Sequence, residues 1–127
     1  MGKIAKDETA SLISAEKVEG TAVYNGKDEK IGTIDDVMID KRSGHVAYAV
    51  MSFGGFLGMG EKYHPLPWQV MHYDTGIDGY RVDLDKKTLE GAPAYGRDEL
   101  DAVNWSDAAW NRTVADYYRV APFNPGL

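Results

Sequence analysis

The residues whose types and spacing first suggest chemistry are the glycines of the segment 53–71, which lie close to a lysine. Gly55 and Gly60 have the separation found in phosphate-binding loops, where the backbone N–H groups surround the phosphates. Such a loop places a lysine directly after the second glycine, whereas this sequence has Glu61 there and Lys62 one residue later. Because a carboxylate at that position repels phosphate, the segment does not predict a nucleotide site.

Histidine is the second residue type that could bind a ligand, and the chain contains His45, His64 and His72. His64 and His72 lack the i, i+4 spacing with which two histidines on one helix bind zinc. Asp74 and Asp78 would join them only through a fold that the sequence does not show. We therefore expect surface or capping roles for the histidines, with no metal and no cofactor.

Two pairs of neighbouring acidic residues are candidates for acid–base catalysis, Asp35 with Asp36 and Asp98 with Glu99. Such catalysis needs two groups placed apart in a cleft. Neighbours in an extended strand point to opposite faces, so neither pair is a ready catalytic dyad. Ser52 has no evident base partner. We predict no catalytic residues and no enzymatic activity.

The composition limits the classes of partner. The 127 residues include 14 basic and 20 acidic residues, a formal net charge of −6. The two signs are interleaved, which is typical of a mixed solvated surface. Because binding to a phosphate backbone needs a basic face, we expect no nucleic-acid partner. Contact with an anionic membrane is disfavoured for the same reason.

No targeting or membrane-spanning segment is evident in the sequence. The first residues contain no apolar signal-peptide core, and no run approaches the ~18 apolar residues of a membrane span. The chain has no cysteine, which excludes disulfides and thiol chemistry. Together these features favour a cytoplasmic location.

Alternation of apolar and polar residues predicts short strands joined by tight turns. The strand patterns cover residues 21–24, 31–40, 45–53, 65–70 and 80–84. In the second pattern Val37 and Ile39 share one face, and a bulge at residues 35–36 would return Ile34 to the same inner side. The segment 65–70 contains two prolines, which cannot donate to a sheet, so it is an edge strand.

The strand predicted at residues 45–53 is the clearest of these patterns, and it bears on the role of the C-terminal residues. Residues 45–53 are apolar on both faces, so both sides of that strand require cover. Asn104 and Ser106 are suitable N-caps, and apolar residues then recur at helical spacing from Trp110 to Tyr117. We expect this C-terminal helix to cover part of the strand's outer face, and a second subunit could cover the rest.

These segments together resemble the PRC-barrel family, named for the cytoplasmic domain of the photosynthetic reaction-centre H subunit and including stand-alone bacterial proteins. The residues that carry the resemblance lie at 18–24, at 31–40, at 44–58 with FGGFLG, and at 65–68 with PLPW. The resemblance implies a mainly β fold: a small, strongly bent antiparallel β-barrel with a C-terminal α-helix. It implies three parts, a flexible N-terminus at residues 1–10, a PRC-barrel domain at 11–94, and a helical extension at 95–127 that packs on the barrel or on a partner.

The resemblance also implies a non-enzymatic module for protein interaction or assembly. We expect protein partners and self-association into a homo-oligomer, because residues 45–53 are apolar on both faces and the glycine-rich segment carries apolar side chains. The candidate interface residues are Phe53, Phe56, Leu57 and Met59.

Two alternative functions remain open at this point. One is a carrier of a small molecule or metal, or an enzyme, that uses the barrel mouth with His64 or His72. The other is a module that docks on a membrane surface through Phe56, Leu57 and Met59. The acidic net charge counts against the second alternative.

Overall fold

The structure is a computed structural model that describes residue 9, residues 11–53 and residues 61–123. Its elements in chain order are α1 (Ala15–Val18), β1 (Ala22–Tyr24), β2 (Lys30–Ile39), β3 (Val46–Phe53), β4 (Lys62–Pro67), a 3₁₀ helix (Trp68–Val70), β5 (His72–Asp74), β6 (Gly79–Arg81), α2 (Lys86–Glu90), α3 (Arg97–Leu100) and α4 (Ala108–Tyr118). The prediction of a mainly β fold with a C-terminal α-helix is confirmed.

The strands form one curved sheet in the order β4-β3-β2-β1-β6-β5. Neighbouring strands are antiparallel except for β1 and β6, which are parallel. In this one ladder the structure differs from the antiparallel barrel that the resemblance implies. The reason is that no hairpin joins β1 to β6, and a long connection permits parallel pairing.

β2 is a long strand whose middle is bent by a bulge. Ile34 pairs with Met51. The next pair joins Asp36 to Val50, which leaves Asp35 as the extra residue. Because a bulge re-aims the side chains that follow it, Ile34 still reaches the core, where it is fully buried. The predicted irregularity at this point of the strand is confirmed.

A second irregularity lies near the end of β2. Met38 pairs with Tyr48. Ile39 then pairs with Val46, so Ala47 on β3 has no partner residue. The sequence predicts a covered side for Ile39, but half of its surface, 50%, is exposed. The prediction is wrong because this second bulge interrupts the alternation on which it rests.

The hydrophobic core collects side chains from the sheet and from the helices α1, α2 and α4. Its fully buried members include Ile34, Met51, Leu66, Leu89 and Val114. Burying one such aliphatic side chain contributes roughly 1.5–3 kcal/mol. At Gly32 the two longest strands approach closely, since a Cβ atom there would lie 2.4 Å from the carbonyl oxygen of Ser52. Glycine is therefore required at this position by the packing of β2 on β3.

The two edges of the sheet are formed by β4 and β5. Pro65 and Pro67 lie in β4, which confirms the edge strand predicted from its prolines. None of the strand patterns in the sequence covers β5, which is a short strand paired with β6. A strand of three residues is too short to show an alternating pattern.

The N-cap of the C-terminal helix lies one residue after Ser106, the later of the two predicted N-caps. Asp107 caps it, its carboxylate accepting a hydrogen bond from the Trp110 N–H at 3.0 Å. The sequence gives no signal for α3, because its four residues are too few for a helical period. Within the described ranges, no helix is long and apolar enough to cross a lipid bilayer.

Candidate functional site

The outer face of β3 is covered by the C-terminal part of the same chain. Around Tyr48 the ring centroids of Trp105, Trp110 and Phe123 lie 5.7, 5.4 and 6.4 Å from its own. Tyr48 and Val50 are both almost fully buried. At Tyr48 and Val50 the chain covers this face by itself, so these residues give no support to the expectation that a second subunit could cover the rest.

A buried hydrogen-bond network fixes this cover in place. The Tyr48 hydroxyl donates to Oδ1 of Asn111, which is only 1% exposed. The Asn111 Nδ2 donates to the carbonyl oxygens of Trp105 at 2.9 Å and Asp107 at 2.8 Å. Burial raises the pKa of Tyr48 to about 12, so its hydroxyl keeps its proton at neutral pH. Both polar atoms of the Asn111 side chain are bonded, which sets the position of α4 on the sheet.

Beside this aromatic cluster lies a groove of about 390 Å³. Its apolar lining residues are Met38, Ile39, Ala47, Trp105 and Phe123. The volume lies within the ~300–1,000 Å³ range of ligand pockets. Because Ile39 is half exposed, the groove offers apolar surface to a binding partner.

Basic residues form one rim of the groove. Lys41 and Arg42 line it, and no ion pair joins either of them to an acidic residue in the part of the chain that the structure describes. The neighbouring Asp40 carboxylate accepts the Ser43 hydroxyl at 2.7 Å. That hydrogen bond lowers the pKa of Asp40 and holds its charge within the turn. Two cationic side chains therefore stand at the rim beside Asp40, which also lines the groove and interacts electrostatically with Arg42.

The groove also adjoins a strand edge that no other described strand pairs with. β1 pairs with β2 only as far as Thr33, and two further backbone hydrogen bonds extend the ladder to Ile34. From Asp36 to Ile39, β2 has no partner on that side among the described strands. The Val37 N–H donates instead to the Asp36 carboxylate at 2.8 Å. An extended segment could therefore pair with this edge.

A larger hollow of about 660 Å³ lies beside α1. Its lining is mainly charged or polar and includes Glu16, Lys17, Glu19 and Asp78. Ala22 is the one residue of this lining with an apolar side chain larger than hydrogen. The hollow thus lacks the apolar anchor that the groove has.

Of the four interface residues predicted from the sequence, the structure describes Phe53 alone. Phe53 ends β3, where it is half-buried and its ring centroid lies 5.5 Å from that of His64. Phe56, Leu57 and Met59 lie outside the residues that the structure describes. An interface role for these four residues stays a prediction.

The structure separates the three histidines. His45 and His72 are exposed, whereas His64 is 2% exposed within β4. The predicted surface or capping role is therefore wrong for His64, because α3 and α4 pack against this edge strand. Burial lowers the pKa of His64, opposed by a hydrogen bond to the backbone of Pro93. Its Nδ1 atom has no hydrogen-bond partner in the described part of the chain.

The two acidic residues of the first pair, Asp35 and Asp36, have different partners. Asp35 forms an ion pair with Arg97 at 3.2 Å, while Asp36 binds the neighbouring backbone. The two carboxylates therefore serve different structural contacts. Across the ranges that the structure covers, there is no group of three metal-ligating side chains.

The sequence does not predict a binding site at the groove. It predicts a covered side for Ile39 and an ordinary solvated surface for Lys41 and Arg42. One local signal exists, an isoleucine directly before a charged turn. However, Trp105 and Phe123 reach the groove only through the tertiary fold, so no spacing in the sequence reveals it.

Comparison with known proteins identifies the family. A model of the PRC-barrel domain family matches residues 11–89. A solved structure of a putative 16S ribosomal RNA processing protein, RimM, from Pseudomonas aeruginosa is 25% identical, with a TM-score of 0.39. That match covers 66% of this chain, which spans 50% of the solved chain. None of the curated proteins matches.

One prediction about partners is overturned by this comparison. The net charge led us to expect no nucleic-acid partner, yet the matched solved protein is described as processing 16S ribosomal RNA. The exclusion of nucleic acid is therefore wrong. The physical reason is that net charge describes a whole chain, whereas contact with nucleic acid depends on the local distribution of charge.

Proposed function

The chain belongs to the PRC-barrel family, and from that premise we propose that it is a non-enzymatic protein-interaction module that also self-associates. The observation that carries the proposal is the groove beside Ile39. An apolar side chain that is 50% exposed over an apolar groove is typical of a surface where another molecule binds. A cytoplasmic setting is part of the proposal.

The proposal for self-association rests on the glycine-rich segment. The outer face of β3 no longer supports it, since Tyr48 and Val50 are buried within the chain. Phe56 and Leu57 are the two apolar residues of that segment whose role in self-association we test by substitution.

We expect the purified chain to exceed the mass of a monomer at high micromolar concentration, as measured by light scattering. Phe56→Ser combined with Leu57→Ser should shift that equilibrium towards the monomer, because the change removes apolar surface that association would bury. The matched control is Leu12→Ser, which removes an apolar side chain that is 73% exposed.

A strict monomer across the concentration range would contradict self-association. So would an equilibrium that the double change leaves untouched. If the Leu12 control has the same effect as the double change, the association is unspecific and the segment is not the interface.

A further inference from the structure

We propose that the free edge of β2 and the adjoining groove bind an extended segment of a partner protein, one with an apolar anchor residue among acidic residues. This inference rests on the proposed function and names the chemistry of the partner. The segment adds a strand beside residues 36–39 and places its anchor against Ile39.

The strand edge supplies the first part of this recognition. β2 runs past the end of its β1 ladder, so the backbone from Asp36 to Ile39 pairs on one side only in the described residues. An added strand gains main-chain hydrogen bonds from such an edge whatever its sequence. Within these residues the Val37 N–H is already engaged, by the Asp36 carboxylate at 2.8 Å. That hydrogen bond must break when a segment binds, so Asp36 disfavours unselective strand pairing at this edge.

The groove supplies the apolar anchor site. Met38 and Ile39 belong both to the free edge and to the groove lining. Ala47 is the unpaired residue of the bulge, and its small side chain leaves room between the strands and the rings of Trp105 and Phe123. An aliphatic or aromatic side chain of an added strand can therefore pack here while its backbone pairs with β2.

The rim supplies the preference for acidic residues. Lys41 and Arg42 carry two positive charges that no described carboxylate neutralises through an ion pair. The carboxylate nearest in sequence, Asp40, is engaged by Ser43 within the turn. An acidic segment is complementary to this rim, although the chain as a whole carries a net charge of −6.

The probe for the test is a fluorescein-labelled peptide in which leucines alternate with aspartates and glutamates, and binding is measured by fluorescence anisotropy. Three further peptides change one feature each: lysines replace the acidic residues, serines replace the leucines, or alternate backbone nitrogens are methylated. N-methylation keeps the side chains but removes the strand hydrogen bonds. We expect each change to weaken binding, and NMR shifts at Ile39 and at the Trp105 indole N–H to locate the bound peptide.

The protein variants separate the rim from a general charge effect. Lys41→Glu with Arg42→Glu should weaken binding about tenfold. Lys86→Glu with Lys87→Glu is the matched control, because it reverses an equal pair of exposed basic residues that do not line this groove. Ile39→Ser should also weaken binding, and it is expected to fold because Ile39 is half exposed.

Several outcomes would overturn the inference. These are equal binding of the N-methylated peptide, equal binding of the lysine peptide, an equal loss in the Lys86 and Lys87 control, or no binding of the acidic peptide. Displacement of the peptide by single-stranded RNA, with RNA bound at the same residues, would assign the groove to nucleic acid instead. If the chain still associates in light scattering while the peptide does not bind, the groove proposal fails and the proposed function stands.

Discussion

Asn111→Ala is expected to lower the free energy of unfolding by roughly 2–4 kcal/mol, the largest effect of any single polar change that we predict. Asn111 is 1% exposed and accepts the hydrogen bond of the Tyr48 hydroxyl. Its amide also donates to Trp105 O at 2.9 Å. Truncation leaves the buried Tyr48 hydroxyl and the part-buried Trp105 carbonyl without this partner, and an unsatisfied buried group costs about 1–3 kcal/mol. Urea unfolding followed by circular dichroism measures the loss.

The matched control for this change lies two residues further along the same helix. Thr113 is exposed, and its hydroxyl donates to Ala109 O at 3.0 Å within the helix. Thr113→Ala should change stability by less than ~0.5 kcal/mol, as is usual for surface substitutions. Equal losses in the two variants would show that the Tyr48 network does not hold α4 on the sheet.

Tyr48→Phe tests the other side of the same hydrogen bond. It removes only the hydroxyl and leaves Asn111 Oδ1 without a donor, so a loss of about 1–2 kcal/mol is expected. Combined with Asn111→Ala, the two losses should not add, because both changes break one network. Additive losses would mean that the two groups act independently.

Features of the fold that depend on neighbouring residues could be predicted from the sequence. The break in alternation before Val37 indicates the bulge that returns Ile34 to the core. The prolines at positions 65 and 67 indicate an edge strand, because proline lacks the N–H that an inner strand must donate. Each of these signals is contained in a few consecutive residues, and the structure follows all of them.

Features that depend on tertiary packing could not be predicted in the same way. His64 lies in an edge strand and precedes a proline, which gives no indication that α3 and α4 pack against it. The exposure of Ile39 depends on the extra residue Ala47, which lies on the partner strand. The groove needs Trp105 and Phe123, which approach β3 only when α4 has docked. The candidate site is thus a product of the C-terminal extension, whereas the sheet is encoded locally.

A buried histidine makes stability depend on pH, and His64 is expected to give this chain an acid-sensitive step. Burial lowers the pKa of His64 in the folded state below the 6.5 of the unfolded chain. The unfolded chain therefore binds more protons below pH 6.5, and the free energy of unfolding falls as the pH falls from there. One group contributes a slope of at most about 1.4 kcal/mol per pH unit.

The geometry around His64 explains why its protonated form is unfavourable. A protonated imidazole needs acceptors for two N–H groups. The backbone of Pro93 serves one of them, while Nδ1 has no partner in the described residues. The nearby ring of Phe53, 5.5 Å away between centroids, is apolar. Protonation would thus bury a charge and an unsatisfied donor at the same time. Both costs fall on the folded state alone.

His64→Gln separates this contribution from other causes of acid sensitivity. Glutamine stays neutral and keeps a donor for Pro93, so the variant should lose the slope between pH 6.5 and the folded pKa of the parent. His72→Asn is the control, because it removes an exposed histidine and should leave the slope intact. Unfolding by urea at a series of pH values measures both variants. A slope that survives His64→Gln unchanged would assign the acid-sensitive step to other groups.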